Sequence, residues 1–151
     1  MKILKLAGLV ALLLAVCACG AYLGRHELTR MNEELPSFTA AAGETQEERI
    51  AMQDGVKLFA TVMLPKGEGP FPAILVRNPY ARFARIMLDS LCGRFVRYGY
   101  ACVLQDVRRQ GESEGEWSPM VNEVRDGRDT INWLVGQTFQ DGNIAMVGPS
   151  Y

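Results

Sequence analysis

The alternation of apolar and polar positions predicts several strands along the chain. Two β-prone runs, 49–53 and 56–64, flank Asp54-Gly55. This pair tolerates the positive φ angles of a tight turn, so the segment predicts a β-hairpin. Every other residue of the second run is apolar, as expected for a strand with one buried face. Three further short apolar runs are typical of central strands covered on both faces: 73–76, 100–105 and 143–147.

Two segments between these runs show the apolar period of a helix. The first has apolar residues at helical spacing, namely Leu88, Leu91, Cys92, Phe95 and Val96, and Gly99 follows as the predicted stop. The second helix is predicted from 122 to 136, with Val124, Ile131, Leu134 and Val135 on one face and Asp126, Arg128 and Asp129 largely on the other. The order indicates an α/β fold, in which parallel strands with crossover helices follow an antiparallel hairpin.

The N-terminal residues 1–24 have the pattern of an export signal. Lys2 and Lys5 precede a long uncharged stretch. Cys19 follows small and apolar residues as the lipidated cysteine of a bacterial lipoprotein does. A plain cleaved signal and an uncleaved membrane anchor remain alternatives, since the stretch approaches the length of a membrane span. Each alternative predicts a protein exported to the bacterial cell envelope.

Residues 25–45 are polar and irregular, and we interpret them as a flexible linker before a domain at 46–151. His26, the only histidine, lies in this linker. A net charge of −1 without runs of like charge gives no reason to expect nucleic acid as a partner. The chain has neither a P-loop nor a dinucleotide fingerprint, and we expect no cofactor and no metal.

Two cysteines, Cys92 and Cys102, lie in the exported part of the chain. Each is embedded in an apolar run, where a free cysteine behaves as a small hydrophobic residue. An oxidising compartment would permit a bridge between them. We nevertheless expect two free, buried thiols.

The last apolar run ends in Gly148-Pro149-Ser150-Tyr151. Gly-x-Ser directly after a strand resembles a nucleophile elbow, the sharp turn that presents the serine of an α/β-hydrolase. Glycine at 148 suits the tight backbone of such a turn. The N–H of Tyr151 then points to the substrate as one oxyanion donor. The same short pattern also occurs in ordinary turns at strand ends.

The wider chain resembles the cocaine-esterase and X-prolyl dipeptidyl-peptidase group of α/β-hydrolases (CocE/NonD type). The resemblance runs in unbroken order over about residues 50–151, through the segments 54–58, 70–80, 98–108, 113–116, 122–134 and 141–151. It implies that Ser150 is the acylated nucleophile of an enzyme that cleaves ester, amide or peptide bonds. It also implies that the Tyr80 phenol donates the second oxyanion hydrogen bond. Tyr80 leaves its strand in the loop that supplies this donor throughout the fold.

Asp106 and Arg108 end one of the predicted strands, and we interpret them as a structural ion pair or loop anchor. The related proteins have Arg-Gly here, whereas this chain has Arg108-Arg109, which leaves the turn after the strand uncertain. Trp117 and Trp133 are expected to be packing residues.

In this fold the triad Asp or Glu and the His follow the serine in the sequence. We therefore expect an N-terminal portion of a longer hydrolase that is inactive by itself and has a sheet edge prone to aggregation. The competing hypothesis is a membrane-tethered module that uses a hydrolase scaffold for binding without catalysis.

Overall fold

The computed structural model describes residues 37–80, 86 and 88–148. Five strands form one mixed sheet in the order β1-β2-β4-β3-β5. β1 pairs antiparallel with β2 and β2 with β4, while β3 is parallel to both β4 and β5. The predicted α/β architecture is confirmed. The strands are β1 (Ala42–Ala51), β2 (Lys57–Pro65), β3 (Phe71–Asn78), β4 (Ala101–Asp106) and β5 (Gln140–Met146).

The hairpin forms at Asp54-Gly55 as predicted, with Gly55 at a φ of 83°. β1 begins at Ala42, upstream of the start expected near Gln46. Its first residues are polar and exposed, so they carry no hydrophobic signal, but they pair with the end of β2. Gly43 approaches that strand so closely that a Cβ would lie 2.8 Å from the Pro65 carbonyl oxygen. Glycine thus permits the extension of the sheet.

β3 and β4 form the interior of the sheet, and the alternation of their side chains defines two faces. Ala73, Leu75, Ala101 and Val103 pack in one cluster, which includes Leu134 of the second helix. Ile74, Val76, Cys102 and Leu104 pack in another, which includes Cys92 and Val96 of the first helical segment. The two helices therefore cover opposite faces of the sheet.

The first helical segment consists of a π-helical turn, Leu88–Cys92, that continues into α1 (Gly93–Arg97). Cys92 and Val96 are fully buried, and Phe95 packs against them. Gly99 follows at a φ of 87°, which confirms the predicted stop. We call the face covered by this segment the α1 face.

Cys92 and Cys102 are joined by a disulfide, with their Cα atoms 5.3 Å apart. The expectation of two free thiols is therefore wrong. Both positions are fully buried, as their apolar context predicts. The sequence did not show that the two side chains meet where the helical segment packs on β4, which brings them within bonding distance.

The second helix, α2 (Glu123–Val135), has Asn122 and Gly136 at its ends and matches the predicted bounds. Its predicted faces are confirmed for Leu134, which is buried, and for Arg128, which is exposed. They are wrong for Asp126 and Asp129, which are buried, and for Val124 and Val135, which are 78% and 59% exposed. The buried stripe consists of Asp126, Gly127, Asp129, Thr130 and Leu134. Arg108 binds the carboxylate of Asp126, and the Gln53 N–H donates to Asp129 Oδ2 at 2.9 Å, so both buried carboxylates have partners. We call the face covered by α2 the α2 face.

β5 lies at one edge of the described sheet, and most of its residues are exposed. Met146 near its end is 53% exposed. Only the second half of β5, residues 144–146, is apolar, and an apolar strand end at a sheet edge is a template for further strand pairing. Within the described ranges, no helix is long and apolar enough to cross a membrane.

Candidate active site

β3 and β4 end side by side, with Asn78 directly paired with Asp106. β5 is the other parallel neighbour of β3, so all three strands end at the same edge of the sheet. Binding groups in open α/β sheets collect outside the carboxyl ends of the strands. Tyr80 follows β3 at this edge, as the sequence predicts. The candidate site is therefore built on the two best-buried strands of the fold.

The predicted nucleophile Ser150 and its neighbour Tyr151 lie outside the described residues, as do Cys19 and His26. β5 can be followed to the residues just before the serine. The Val147 N–H donates to the Leu75 carbonyl oxygen at 3.0 Å, so the pairing with β3 continues past the end of the regular strand. The nucleophile and oxyanion roles of residues 150 and 151 stay predictions.

Tyr80 is held through its backbone. Its N–H donates to Asn78 Oδ1 at 2.9 Å, while its side chain leaves the residue 39% exposed. Because the backbone donor is already engaged, a hydrogen bond from Tyr80 to a ligand has to come from the phenol hydroxyl. This arrangement agrees with the side-chain role that the resemblance implies for Tyr80.

Asn78 connects Tyr80 with Asp106. Its Nδ2 donates to Asp106 Oδ1 at 2.7 Å, and its side chain is fully buried. The two partners fix the orientation of the amide, since a flipped Asn78 would direct its NH₂ at the Tyr80 N–H and its oxygen at a carboxylate. Sequence reasoning had assigned Asn78 no role beyond the resemblance. Its position between an apolar run and Pro79-Tyr80 was the available signal.

Asp106 is 6% exposed, and burial raises the pKa of its carboxyl above the ordinary value of 3.8. The hydrogen bond from Asn78 opposes this rise, whereas the negative charge of Glu112 adds to it. The turn after β4 closes over the carboxylate at Gly111, which has a φ of 52° and where a Cβ would overlap Asp106 Oδ2. Glycine is thus required at 111 because of this close approach.

Arg108, which follows the end of β4, is the centre of a charged cluster on the α2 face. Its Nε and Nη2 each bind an oxygen of Asp126 at 2.7 Å, and its Nη1 lies 2.9 Å from Asp54 Oδ2. The hydrogen bond with Asp126 is the main cause that raises the pKa of Arg108, and the hydrogen bond from Arg108 lowers the pKa of Asp54. The anchoring role predicted for Arg108 is confirmed. Its partners are Asp126 and Asp54, whereas Asp106 is bound to Asn78.

Arg109 has a φ of 58°, in the left-handed region that favours glycine. The Arg-Gly expected from the resemblance would suit this turn, which this chain forms with arginine. The Arg109 N–H donates to the Glu114 carbonyl oxygen at 3.1 Å. The segment that follows is anchored to the end of β4, because the buried Ser113 hydroxyl donates to the Asp106 carbonyl oxygen at 2.7 Å.

Arg77 and Gln105 form a second polar pair on the α2 face, which sequence reasoning missed. Arg77 Nε donates to Gln105 Oε1 at 3.1 Å, and Arg77 Nη1 lies 2.6 Å from Glu123 Oε2. The Thr130 hydroxyl lies 3.0 Å from the same Gln105 oxygen. This pair connects the ends of β3 and β4 to the start of α2. On the same helix, Trp133 packs against Phe139, in agreement with the predicted packing role.

The described ranges contain no group of three or more His, Cys, Asp or Glu side chains that could hold a metal ion.

A mixed sheet with an antiparallel hairpin, three parallel strands and helices on both faces is the architecture of an α/β-hydrolase fold. Residues 54–151 match the model of the X-Pro dipeptidyl-peptidase family, S15. The chain belongs to this family.

Relatives and solved structures agree with this assignment. A cocaine esterase from Rhodococcus sp. (strain MB1 Bresler) is 42% identical over 105 residues, which cover 68% of this chain and 18% of the esterase. An α-amino acid ester hydrolase structure superposes with a TM-score of 0.61 at 32% identity, over 76% of this chain and 22% of that one. An aminopeptidase from a marine sediment Thaumarchaeota archaeon gives a TM-score of 0.63 at 29% identity, over 78% and 23%. The chain thus spans less than a quarter of the length of these proteins.

Proposed function

We propose that this chain is the nucleophile-bearing part of an exported serine hydrolase that cleaves an ester, amide or peptide bond. The observation that carries the proposal is the adjacency of β3 and β5. Leu75 is paired with Met146, so Tyr80 and Ser150 follow the paired residues by five and four positions on neighbouring parallel strands. Two residues that follow neighbouring parallel strands at nearly the same number of positions are suited to act on one substrate carbonyl.

In the proposed reaction, Ser150 Oγ attacks the carbonyl carbon while a base removes its proton. The carbonyl oxygen becomes an oxyanion, which accepts hydrogen bonds from the Tyr80 phenol and the Tyr151 N–H. The protonated base gives its proton to the leaving group, so collapse of this intermediate expels the alcohol or amine and leaves an acyl-serine. Water then hydrolyses the acyl-serine to the carboxylic acid and the free serine. The engagement of the Tyr80 N–H by Asn78 supports the use of the phenol as the donor at this position.

A chimera tests the proposal directly. Residues 54–151 replace the matching segment of the Rhodococcus cocaine esterase, and hydrolysis of an activated ester is measured. We expect turnover with a Ser150-bound acyl intermediate detectable by mass spectrometry, and none in Ser150→Ala. Tyr80→Phe should lower kcat by about 100-fold or more, the effect of removing one oxyanion donor. A folded chimera whose turnover does not depend on Ser150 contradicts the proposal.

Tyr100→Phe is the matched control for Tyr80→Phe. Tyr100 has nearly the same exposure, 37% against 39%, but precedes the amino end of β4, at the opposite edge of the sheet. Its phenol should contribute nothing to the reaction, so kcat should stay unchanged. Equal losses in the two variants would show a general effect of removing a tyrosine hydroxyl rather than stabilisation of an oxyanion.

The 151 residues assayed alone should show no Ser150-dependent turnover. They contain one histidine, His26, and it precedes the domain. A serine hydroxyl is a poor nucleophile without a base that accepts its proton. Burst release of an activated leaving group that disappears in Ser150→Ala would contradict this expectation. Loss of all Ser150 dependence, in the chimera as well, would favour the non-catalytic binding module.

Export and lipidation at Cys19 are part of the proposal. The disulfide between Cys92 and Cys102 supports an oxidising compartment. In a bacterial host we expect metabolic labelling of the chain with palmitate, and loss of the label in Cys19→Ala. Cys17→Ala is the control, since it should keep the label. If the parent protein carries no label but its N-terminus is processed, the result would instead favour a plain cleaved signal.

A further inference from the structure

A continuous series of hydrogen bonds joins Asp106 to Tyr80. The Asp106 carboxylate accepts from Asn78 Nδ2 at 2.7 Å, and Asn78 Oδ1 accepts from the Tyr80 N–H at 2.9 Å. Asn78 is fully buried and Asp106 is 6% exposed. The bond between Asp106 and Asn78 therefore lies inside the protein, where hydrogen bonds are strong and misplacement of either partner is costly.

The Asp106 end of the series is fixed independently of Tyr80. The backbone of β4 places Asp106 opposite Asn78, and the Val107 N–H donates to the Asn78 carbonyl oxygen at 3.1 Å. Ser113 donates to the Asp106 carbonyl oxygen, and the turn at Gly111 closes over the other carboxylate oxygen. The carboxylate is thus a rigid reference point from which Asn78 is oriented.

The Tyr80 end is the part that needs such a reference. Pro79 removes one backbone donor from the exit of β3, so the first N–H after Asn78 belongs to Tyr80. That N–H is the group bound by the Asn78 side chain. The hydrogen bond from the Tyr80 N–H to the Asn78 side chain fixes the backbone of residue 80. It therefore also fixes the position from which the Tyr80 side chain extends.

We propose that Asn78 and Asp106 are positioning residues, which hold the backbone of Tyr80 so that its phenol meets the oxyanion. The inference rests on the role proposed for Tyr80 above. Neither residue touches the substrate, and both act through the turn. A carboxylate in this place, rather than a second amide, strengthens the donor end of Asn78 and locks the orientation of its oxygen.

The first test uses NMR to detect the hydrogen-bond series in the 151-residue chain, and it does not depend on catalytic activity. Labelling with ¹⁵N-tyrosine gives five amide signals, and the Tyr80 signal is assigned by its loss in Tyr80→Phe. We expect the Tyr80 signal to shift with pH as Asp106 titrates, with a midpoint above 3.8 because burial favours the protonated carboxyl. Asp106→Asn should abolish the shift. Asp141→Asn, at an exposed carboxyl of β5, should preserve it.

Exchanging the two residues provides the rescue. Asn78→Asp alone sets two carboxylates against each other, and hydrogen exchange of the Tyr80 amide should rise about tenfold or more. In the double variant N78D/D106N, an amide at 106 donates to a carboxylate at 78, which still accepts from Tyr80. Exchange should return close to the original rate. If N78D only destabilised the fold, the second substitution D106N would not restore the exchange rate.

The chimera connects the series to the reaction. N78D should lower kcat by about 100-fold with little change in KM, as expected when a group that acts in the transition state is misplaced, and the exchanged pair should recover most of the loss. A Tyr80 signal indifferent to D106N, or an exchanged pair no better than N78D, overturns the inference. If N78D does not fold, the comparison of D106N with D141N decides. Coupling of Tyr80 to Asp106 in the NMR test, together with an active Tyr80→Phe chimera, would refute the oxyanion role and leave the positioning intact.

Discussion

Helices α1 and α2 cover opposite faces of one sheet, and different chemistry attaches them. On the α1 face the contacts are apolar, and a disulfide joins the helical segment to β4. On the α2 face the second half of the helix packs through Leu134, but its first half is bound by buried charges, chiefly Asp126 with Arg108. One attachment depends on redox state and the other on charge. Variants that act on only one of them separate the two.

The largest effect is expected on the α2 face, from Arg108→Met. Asp126 is fully buried, and without Arg108 its carboxylate loses the partner that compensates for its desolvation. Breaking a buried pair from one side costs about 3–5 kcal/mol. We expect a loss of this size in the free energy of unfolding, measured by urea denaturation.

Arg125→Met is the matched control for Arg108→Met. Arg125 also lies 3.0 Å from Asp54 and 3.8 Å from Asp126, but its side chain is 46% exposed. An exposed pair contributes about 0–1 kcal/mol. Equal losses in the two variants would show that burial does not govern the strength of this cluster.

Reduction of the Cys92–Cys102 disulfide tests the α1 face and should have the next largest effect. The bridge closes a short loop, with a sequence separation of 10. The chain-entropy relation gives about 3 kcal/mol for a loop of this size. A phosphine reductant should lower the urea midpoint of the parent protein and leave that of a Cys92→Ala, Cys102→Ala double variant unchanged. An unchanged parent midpoint would show that the apolar contacts alone hold the segment.

The two attachments should also be independent of each other. They lie on opposite faces and share no side chain, so the losses from Arg108→Met and from reduction should add. A combined loss well below the sum would reveal that the ends of β3 and β4 couple the faces through the sheet. Such coupling would pass through the neighbouring pairs Asn78–Asp106 and Arg77–Gln105.

A smaller, pH-dependent effect is expected at Asp54, in the turn of the hairpin. Arg108 lowers the pKa of Asp54 in the folded protein, so the carboxylate contributes stability above pH 3.8. This contribution disappears as the pH falls through the lowered folded pKa. The difference in stability between the parent and Asp54→Asn should therefore be constant near neutral pH and vanish in acid. A difference that persists at the lowest pH would point to packing rather than charge.

These comparisons also show what the sequence could predict. The strands, the hairpin at Asp54-Gly55 and the bounds of α2 follow from period and turn chemistry, and all were confirmed. The burial of Asp126 on α2 could not be predicted, because the hydrophobic period assigns a charged residue to the solvent-exposed face. Its partner, Arg108, is far away in the sequence, so the local pattern does not show the ion pair. The disulfide was missed for the same reason. Both depend on tertiary contacts between segments, which local patterns do not contain.

The candidate site divides in the same way. Tyr80 could be placed at a strand end from sequence and resemblance, and the structure confirms that position. The role of Asn78 depends on the register of β3 with β4, which sets it beside Asp106, and no single segment encodes that register. Ser150 and Tyr151 stay predictions that rest on the turn sequence after β5.

The smallest effect is expected at the loop that connects the two attachments, from Arg109→Gly. Arg109 has a φ of 58° and an exposed side chain, and its N–H bond to Glu114 does not need a Cβ. Glycine removes the strain of the left-handed conformation, but it also increases the entropy of the unfolded chain. The strain costs about 1–2 kcal/mol and the added entropy about 0.4–1 kcal/mol, so the free energy of unfolding should rise by about 0.5 kcal/mol. Arg109→Lys keeps the Cβ and should change nothing. If glycine instead destabilises the protein, the Arg109 side chain must stabilise the loop.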